Sequence, residues 1–401
     1  MPEAPPLPRD VWHCTRKGRV SGGVIAYDGA MRGLVSLLPA ICLLAACGQG
    51  ASEPPSPSAS QGVGSPTVSV PPSASVAPLG TKPEAAVTLV AAGDVMLGRS
   101  LGDGIRAHGA DWPWQNVRDV LSAADLTFVN LESPLTTAEG ALRKDFVFRG
   151  PPEGAKGLAA AGVDIVSLAN NHALDYGFRG LQDTWVALNA AGVRYVGSGD
   201  AVATAYAPTV LERNGLRIAF LAYVNTPPDS NTGFDLSAYE ATADRPGVAW
   251  LSPAAVAADV GAAKHRADIV VVSMHTGDEY QEQVSVLQAS AAHSAIEAGA
   301  ALVLGHHPHV LQGLESYKTG LIAYSLGNFV FDFDEVDYAH PDLPSALSAV
   351  LEVRLSREGV VTCRVVPMVV SDDGRPRPAE REEAERVLGR LRALSDGSCG
   401  L

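Results

Sequence analysis

Side chains that bind metal ions or transfer protons follow five apolar runs of this 401-residue sequence. They are Asp94, Glu132, Asn171 with His172, His275, and His307 with His309. Ligands of open α/β sheets lie beyond the carboxyl ends of the strands, so we expect these side chains to converge on one place. One histidine after a strand is more often structural than a ligand, but five such strand ends favour a shared site.

The residue types indicate which ions and which reaction the site would support. Carboxylates, an amide oxygen and neutral imidazoles suit borderline or hard divalent ions such as Zn, Mn or Fe. Two ions about 3.5–4 Å apart bind a phosphoryl or carbonyl oxygen and lower the pKa of a bridging water. The sequence therefore predicts one or two divalent ions and a hydrolytic reaction.

The runs that would position these residues alternate with helical patterns, which is typical of an α/β domain. The predicted strands are 85–94, 125–132, 163–172, 194–199, 216–224, 267–277, 300–309 and 320–332, and the predicted helices are 153–161, 178–191, 252–264 and 281–298. A further amphipathic helix is predicted at 380–394, and its apolar residues should pack on the domain: Val387, Leu388, Leu391 and Leu394.

Seven motifs, in order over residues 88–332, together resemble the CapA family of capsule-synthesis proteins. They are GDVMLGR (93–99), NLESPLT (130–136), KDFVFRGPPE (144–153), SLANNHALDYG (167–177), HTGDEY (275–280), GHHPHVLQG (305–313) and SLGNFVFD (325–332). That family is similar to the calcineurin-like metallophosphoesterases. The resemblance implies a four-layer α/β/β/α sandwich with the metal site at the strand ends.

The resemblance also implies roles for individual residues. His172 matches the general acid that protonates the leaving oxygen. The residues that match metal ligands are Asp94 as the first carboxylate, Asn171 as the amide, and the late histidines His275, His307 and His309.

The sequence departs from the phosphoesterase pattern at three positions. Met96, a poor ligand for hard ions, stands where a histidine is usual. Glu132, one methylene longer, takes the place of a bridging aspartate, and Ala173 that of an acidic partner of His172. Asp175 is an alternative partner that could orient His172. These departures bear on one of the two metal positions.

Four further polar residues in these motifs each have two interpretations. Lys144 and Arg149 would suit an anionic substrate, but surface salt bridges are equally expected. Glu279 is either a further ligand or substrate contact, or a solvated loop carboxylate. His306 is expected behind the ligands or at the surface, because the two later histidines should face the site from alternating extended positions.

The composition excludes some partners. The formal charge is −14, with 30 Lys and Arg against 44 Asp and Glu, so nucleic acid is not expected as a partner. Apolar residues make up 46% and charged residues 18%, which is typical of a folded globular protein. An acidic surface repels polyanions unless a local cationic centre, such as a bound metal, overrides it.

The N-terminal region reads as a targeting sequence followed by a tether. Residues 31–46 match a lipoprotein signal peptide, which predicts lipid attachment to Cys47 and an extracytoplasmic, lipid-anchored protein at the cell membrane. Residues 1–30 do not fit the start of a signal peptide, so we expect the true start at Met31. Residues 47–84 are rich in Ser and Pro and are expected to form a disordered tether.

The folded part is expected to begin after the tether. A metallophosphoesterase-like domain is predicted over 85–370, and a C-terminal tail with the amphipathic helix over 371–401. Cys363 and Cys399 are the cysteines that remain after processing and lipidation. A disulfide between them is permitted outside the cytoplasm, but the sequence leaves the pairing open.

Three functions remain open. The first is metal-dependent hydrolysis in the synthesis, export or anchoring of an anionic capsule polymer, by resemblance poly-γ-glutamate, alongside membrane proteins of polymer synthesis and export. A metal-activated water would attack a phosphoester, amide or ester, with His172 as the acid. The second is a non-catalytic, polymer-binding component of an export complex, which Met96 and Ala173 favour. The third is a general extracytoplasmic phosphodiesterase.

Overall fold

The computed structural model describes residues 85–401 of the chain. The expected start at Met31, the predicted signal peptide, the lipidation site Cys47 and the predicted tether at 47–84 lie outside the described residues. Within the described part, no helix is both long enough and apolar enough to cross a membrane.

The described residues form a mixed α/β protein with sixteen strands and nine α-helices. The strands are β1 (Val87–Val95), β2 (Leu126–Leu131), β3 (Ile165–Ser167), β4 (Arg194–Val196), β5 (Ser198–Gly199), β6 (Thr209–Arg213), β7 (Leu216–Asn225), β8 (Gly247–Val248), β9 (Ile269–Thr276), β10 (Leu302–His306), β11 (Leu314–Tyr317), β12 (Gly320–Ala323), β13 (Asn328–Val330), β14 (Leu347–Ser356), β15 (Gly359–Val370) and β16 (Pro376–Pro378). The helices are α1 (Arg99–His108), α2 (Arg118–Leu121), α3 (Gly154–Ala160), α4 (Gly177–Ala191), α5 (Val202–Ala205), α6 (Pro253–Lys264), α7 (Val286–Ala298), α8 (Glu335–Ala339) and α9 (Arg381–Leu394). The predicted α/β class is confirmed.

Two large sheets form the centre of the fold. The first has the strand order β16-β15-β14-β1-β2-β3-β4, with β13 paired to β1, and the second has the order β11-β12-β10-β9-β7-β6. Strands β1 to β4 run parallel, and so do β7, β9, β10 and β12. Each sheet therefore presents a row of carboxyl ends, where ligands of such sheets usually lie.

The two large sheets share one hydrophobic core. Phe128 of β2 stacks on Phe220 of β7 with ring centroids 5.9 Å apart. Burying a side chain of this kind stabilises the fold by roughly 1.5–3 kcal/mol. A second core lies between the six-stranded sheet and helices α6 and α7, where Val256 and Ala291 are fully buried. The six-stranded sheet is therefore packed on both of its faces.

The apolar run at 320–332 forms two strands, so the prediction of one strand is wrong. Strand β12 belongs to the six-stranded sheet, whereas β13 pairs with β1 in the other large sheet. The chain crosses between the sheets at Gly327, whose φ of 68° favours glycine. The Asp94 N–H donates to the Gly327 carbonyl at 3.0 Å, and a Cβ on Gly93 would overlap this oxygen. Position 93 therefore requires glycine, because the Gly327 carbonyl leaves no room for a Cβ there.

One predicted helix begins later than expected. The helix predicted at 281–298 begins at Val286, because Ser285 caps it by accepting a hydrogen bond from the Gln288 N–H at 3.2 Å. The other three predicted internal helices agree with α3, α4 and α6 to within one residue at each end.

The residues after Val370 pack on the same core as the rest of the described chain. Strand β16 pairs with β15, and helix α9 buries Val387 and Leu391 completely. Leu388 and Leu394, the other apolar residues of the predicted helix, are partly buried. A disulfide joins Cys363 of β15 to Cys399 beyond α9. The C-terminal segment is therefore attached by pairing, packing and a covalent bond.

We expect Cys399→Ser to lower the free energy of unfolding by about 3 kcal/mol. The disulfide joins residues that are 36 positions apart, and its loss returns conformational freedom to the unfolded chain. Urea unfolding followed by circular dichroism measures the change. Cys363→Ser should give the same loss, and a variant with both substitutions should lose no more. Unfolding midpoints equal to that of the native protein would contradict the expectation.

Candidate metal centre

The carboxyl ends of the two large sheets meet and bring the sequence-predicted residues together. Asp94 lies near the end of β1, in register with Asn130 of β2, and Glu132 follows β2 directly. His275 lies near the end of β9, in register with His306, the last residue of β10. The expected convergence of strand ends on one place is present in the structure.

Two asparagines without a predicted role support the carboxylates, Asn130 by direct contact and Asn170 by holding Asn130. The Asn130 amide donates to Asp94 Oδ1 at 2.8 Å and lies 3.5 Å from Glu132 Oε2. The Asn170 amide donates to Asn130 Oδ1 at 3.1 Å and to the Leu131 carbonyl at 2.8 Å. All four polar side chains are fully buried. One feature of the sequence could have indicated the role of Asn130. It stands two residues before Glu132, and residues two apart in an extended chain lie on the same face.

The histidines of the second sheet face the carboxylates of the first. His275 Nε2 lies 2.9 Å from Asn171 Oδ1 and 3.4 Å from Glu132 Oε1. His309 Nδ1 lies 3.5 Å from Asp94 Oδ2, and its Nε2 lies 3.8 Å from Glu132 Oε1. The five predicted ligand residues named here therefore lie around one buried space.

Glu132 belongs to two groups of side chains that could hold a metal ion. It lies with His275 and His307 in one group, and with Asp94 and His309 in the other. In each group the ligand atoms lie within 4.8 Å of one another. Glu132 Oε1 and His307 Nδ1 are buried without a hydrogen-bond partner among the described residues. Such buried polar atoms are costly unless they are paired, so this donor set fits bound cations.

Glu279 extends the cluster toward solvent. It is exposed, and its carboxylate forms a third possible metal-binding group with His307 and His309. The structure thus places Glu279 next to two predicted ligands rather than on a remote loop. Because its carboxylate is solvated, it is the member of the cluster that is most accessible to a substrate.

The segment His307-Pro308-His309 is a turn, so the prediction of alternating extended positions is wrong. Strand β10 ends at His306, and φ is 96° at His307 and 57° at His309. His309 is fixed there by its Nδ1, which lies 2.9 Å from Asn328 Oδ1 of β13. Positive φ at residues other than glycine is costly and is concentrated at functional sites. The turn, and not a strand, directs both imidazoles into the cluster.

His306 is buried behind Asp94. Its side chain is fully buried, and its Nδ1 lies 3.2 Å from Asp94 Oδ1. Its ring centroid is 6.1 Å from that of Phe128 in the core. The surface alternative for His306 is therefore wrong, and its contacts are those of a residue that supports a ligand.

The two carboxylates of the cluster have opposite pKa shifts. Burial raises the pKa of Glu132 well above its ordinary value, and the charges of Asp94 and Glu279 raise it further. Burial also acts to raise the pKa of Asp94. The hydrogen bond and charge of His306, together with the charge of His309, outweigh this effect and lower the pKa of Asp94. Without a cation, Glu132 thus favours its protonated form, whereas a nearby cation would favour the carboxylate.

His172 is held by an ion pair next to the metal-binding groups. Its Nδ1 lies 2.7 Å from Asp175 Oδ2, and Lys144 Nζ lies 2.5 Å from Asp175 Oδ1. Lys144 also donates to the Asn171 carbonyl at 2.7 Å. Asp175 therefore occupies the position of the acidic partner that Ala173 cannot provide.

Phe148, for which the sequence predicts no role, covers the ring of His172. The ring centroids of Phe148 and His172 lie 3.9 Å apart, and the Phe148 N–H donates to Asp175 Oδ2 at 2.6 Å. The Arg99 guanidinium lies 4.6 Å from the Phe148 centroid. Burial lowers the pKa of His172 to about 4, although the charge of Asp175 acts in the opposite direction. The ring is therefore neutral at neutral pH in the free protein.

Comparison with known proteins assigns the chain to a family. Residues 88–333 match the family model of the bacterial capsule synthesis protein PGA_cap. The chain belongs to this family.

The capsule biosynthesis protein CapA of Bacillus anthracis is 32% identical over 311 residues, which cover 76% of this chain and 72% of that protein. The PGA biosynthesis protein CapA of Bacillus subtilis (strain 168) is 31% identical over 297 residues, with 73% and 74% covered. A hypothetical protein from Thermus thermophilus has a structure with a TM-score of 0.45 at 17% identity, covering 70% of this chain and 98% of that one.

In this PGA_cap domain, Met96 takes no part in the cluster. It is fully buried, and its Sδ accepts a hydrogen bond from the Gly98 N–H at 3.0 Å. The thioether therefore faces its own backbone. The metal-binding group of Asp94, Glu132 and His309 lacks a further ligand from position 96.

The two basic residues of the KDFVFRG motif differ in their surroundings. The Lys144 side chain is 1% exposed, so its salt bridge is buried and the prediction of a surface pair is wrong. Arg149 is exposed, donates to the Ala138 carbonyl at 3.0 Å, and lies 5.0 Å from the centroid of Tyr176. Of the two basic residues, Lys144 lines the cleft at the candidate metal centre and Arg149 does not.

An open cleft of about 400 Å³ leads to the cluster of the PGA_cap domain. Asn171, His172 and His307 line it, and so do the carboxylate residues Asp145, Asp229, Asp278 and Glu279. Lys144 is the one lysine or arginine among its described lining residues, and Asp175 already neutralises its charge. The mouth of the cleft is therefore acidic, and a bound metal would be its main source of positive charge.

We expect the metal-free protein to lose stability as the pH falls from about 6.5 to about 4. Burial lowers the pKa of His172 to about 4 and that of His307 to about 3, and it holds the pKa of His275 well below 6.5. The unfolded chain, with ordinary histidine pKa values, binds more protons over this range, so acid favours unfolding. Glu132 has the opposite effect above pH 4.5, because its raised pKa lets the folded protein bind a proton that the unfolded chain does not. This one group favours folding in acid, whereas the three histidines favour unfolding.

Urea midpoints of the chelator-treated protein, measured between pH 4 and 7, test this expectation. His307→Asn removes one of the three groups and should make the decline with acid shallower. His265→Asn, at the surface end of α6, is the matched control and should follow the native curve. A midpoint that is independent of pH, or an unchanged slope in His307→Asn, would contradict the assignment.

Proposed function

We propose that this protein is a metal-dependent hydrolase that acts on an anionic capsule polymer, poly-γ-glutamate, during its synthesis, export or anchoring. One observation carries the proposal: Glu132 belongs to two groups of side chains that could hold a metal ion, and His172 lies beside them. The names of the two Bacillus relatives, which refer to capsule and PGA biosynthesis, support the choice of polymer.

The proposal includes the four-layer α/β/β/α sandwich of the metallophosphoesterases as the finer description of the fold. The shared core of the two large sheets supports it, as does the packing of α6 and α7 on the six-stranded sheet. On the other side, Leu158 of α3 and Leu181 of α4 belong to the core that includes the eight-stranded sheet.

One or two divalent ions, Mn, Zn or Fe, would be held by the side chains of the cluster. One position would use Glu132, Asn171, His275 and His307, and the other Asp94, Glu132 and His309. When bound, such ions polarise a substrate oxygen and lower the pKa of a water molecule.

The remaining steps depend on residues of this chain. Asp175 holds Nδ1 of His172, so Nε2 is the nitrogen that can deliver a proton to the leaving oxygen. Lys144 neutralises Asp175 and so prevents an unpaired buried carboxylate beside the ring. Phe148 covers one face of the ring and shields it from water. The negative charge of a bound substrate would raise the pKa of His172 and favour its protonated form.

Metal analysis combined with hydrolysis assays tests the proposal. The purified chain should contain one or two equivalents of a divalent metal, shorten poly-γ-glutamate, and hydrolyse bis(p-nitrophenyl) phosphate at a measurable rate. Chelation should abolish both activities, and restoring the metal should recover them. Activity that survives complete chelation, or the absence of any hydrolysis by the metal-loaded protein, would refute the proposal.

A non-catalytic role in polymer binding is the second candidate, favoured by the orientation of Met96 toward Gly98 rather than into the cluster. In that case the metal-loaded protein would bind poly-γ-glutamate without shortening it. Calorimetric binding combined with chain-length analysis separates the two candidates. Hydrolysis of the phosphodiester without any effect on the polymer would favour the third candidate, a general extracytoplasmic phosphodiesterase.

We further propose that a lipid on Cys47 holds the protein at the outer face of the cell membrane, near membrane proteins of polymer synthesis or export. Cys47→Ser is expected to move the protein from the membrane fraction to the soluble extracytoplasmic fraction, because a cleaved chain without a lipid has no anchor. Immunoblots of the two fractions measure this, with Cys42→Ser in the signal peptide as the control. Tight membrane association of Cys47→Ser would contradict it.

A further inference from the structure

The turn that carries His307 and His309 is joined to the loop that follows β9. The Tyr280 N–H donates at 2.8 Å to the carbonyl of Pro308, which stands between the two histidines. The backbone of the preceding residue, Glu279, is therefore held beside both imidazoles, although its side chain is exposed. The hydrolysis proposed above gives this carboxylate no role.

Three residues around this contact have backbone conformations that favour glycine. φ is 59° at Tyr280, 96° at His307 and 57° at His309. The Tyr280 ring centroid lies 4.4 Å from that of His340 and 6.3 Å from that of His309, so the ring is packed against both. Positive φ at such residues persists only where the surroundings enforce it, and it is concentrated at ligand sites. The fold therefore enforces the approach of the Glu279 loop to the histidine turn.

Glu279 forms a metal-binding group with one histidine from each of the two proposed metal positions. Its carboxylate and one nitrogen each of His307 and His309 lie within 4.8 Å of one another. His307 belongs to one proposed position and His309 to the other, and Glu132 is shared by both. Glu132 is fully buried, whereas Glu279 is exposed. The exposed carboxylate can therefore reach both positions from the solvent.

The surroundings of Glu279 favour a metal ligand over a solvated carboxylate or a direct substrate contact. His307 is 3% exposed, and its Nδ1 has no hydrogen-bond partner among the described residues. The Glu279 carboxylate forms no hydrogen bond or ion pair with another described residue, so both groups are available to a cation. A free carboxylate here would repel an anionic polymer, whereas one that is bound to a cation would not.

We propose that Glu279 is a replaceable carboxylate ligand of the metal centre. It binds the divalent ions from the solvent side in the free protein and gives way to an anionic oxygen of the substrate. The position of Asp94, Glu132 and His309 lacks a ligand from Met96, and Glu279 would complete it. One carboxylate oxygen leaves as one substrate oxygen arrives, so the charge of the ion stays compensated. The inference rests on the proposed function for its metal centre, but metal and anion binding are measurable without catalysis.

Calorimetric titration of the chelator-treated full chain with Mn²⁺ tests whether Glu279 is a ligand. Glu279→Gln should weaken Mn²⁺ binding about tenfold or more, because an amide oxygen carries no charge to offset that of the ion. Asp278→Asn is the matched control, since it removes the same charge from the neighbouring exposed residue of the cleft. A solvated charge that is not a ligand is screened, so the control should weaken binding less than about threefold.

Titration of the Mn²⁺-saturated proteins with inorganic phosphate tests whether an anion replaces Glu279. A ligand that competes for the same position lowers the apparent affinity of the anion, so Glu279→Gln should bind phosphate at least about fivefold more tightly than the native protein. Asp278→Asn removes a charge but no competing ligand, so its phosphate affinity should change less than about twofold. Circular dichroism checks that each variant is folded.

Equal Mn²⁺ affinity of the native protein and Glu279→Gln would overturn the inference. An equal loss in Asp278→Asn would overturn it as well, because the effect would then be one of charge alone. Unchanged or weaker phosphate binding by Glu279→Gln would show that no anion replaces this side chain. Hydrolysis of bis(p-nitrophenyl) phosphate by the native protein is measured in parallel. Both expected shifts without any hydrolysis support the inference and refute the hydrolase, whereas hydrolysis with unchanged Mn²⁺ affinity in Glu279→Gln refutes the inference alone.

Discussion

Glu132→Gln is expected to empty both metal positions and to lower the rate of hydrolysis on the order of 10³-fold. Glu132 belongs to two of the three possible metal-binding groups, and its Oε1 has no hydrogen-bond partner among the described residues. A neutral amide cannot compensate the charge of a divalent ion, so Asp94 would be the one buried carboxylate left among the proposed ligands, beside Asn171 and the imidazoles. Metal content by mass spectrometry and hydrolysis of bis(p-nitrophenyl) phosphate measure the two effects.

The same substitution is expected to stabilise the metal-free protein. Burial and neighbouring carboxylates raise the pKa of Glu132, so folding without a cation either buries its charge or takes up a proton, and both cost stability at neutral pH. Glutamine avoids this cost at similar size. Calorimetry with and without chelator should therefore show a higher unfolding temperature for metal-free Glu132→Gln and little further rise on adding metal. Glu352→Gln is the control, because Glu352 pairs with Arg364 at 2.6 Å on the sheet. If Glu132→Gln retained two equivalents of metal, Glu132 would not be a ligand that both metal positions share.

The candidate ligands could be predicted from the sequence because each follows an apolar run that forms a buried parallel strand. Asp94, Glu132 and His275 lie within one residue of a strand end, where the topology of parallel sheets brings ligands together. The turn at His307 and His309 could not be predicted, because positive φ at histidine has no signal in residue type. Its cause is tertiary, since the ring of His309 is held by Asn328 on a strand of the other sheet.

The supporting contacts of the site could not be predicted because they join residues that are distant along the chain. Lys144 and Asp175 are 31 positions apart, and nothing in their motifs indicates that they pair in a buried position. The role of Phe148 follows only from its stacking on His172. The disulfide between Cys363 and Cys399 was left open for the same reason, since it depends on where helix α9 packs.

The antiparallel pair of β14 and β15 was absent from the predicted elements. Strand β15 is partly exposed along most of its length and becomes fully buried only in its last three residues. Thr362, Arg364 and Pro367 also interrupt its apolar residues, which therefore lack the continuous run that marks the parallel strands. Half-buried strands carry mixed polar and apolar side chains, and their partner decides their register.

His172→Asn is expected to slow the cleavage of poor leaving groups by about 10²–10⁴-fold, the usual contribution of a general acid. An alkoxide leaves only when a proton reaches its oxygen, and Nε2 of His172 is the nitrogen that Asp175 leaves free. p-Nitrophenolate is stable without a proton, so the same variant should cleave a p-nitrophenyl ester with a loss of less than about tenfold. The rates at which the variant and the native protein cleave methyl p-nitrophenyl phosphate and dimethyl phosphate, each at saturating concentration, measure the difference.

Asp175→Asn separates the orientation of the ring from proton donation. Asparagine keeps a hydrogen-bond acceptor for Nδ1, but it leaves the buried ammonium of Lys144 without its carboxylate, so we expect a loss of stability of about 3–5 kcal/mol. Lys144→Met combined with Asp175→Asn removes both charges and should recover part of that stability. If His172 donates the proton, both Asp175 variants should still lose more activity with poor leaving groups than with p-nitrophenyl esters. An equal loss for both classes of substrate would mean that His172 positions the substrate and that the proton comes from elsewhere.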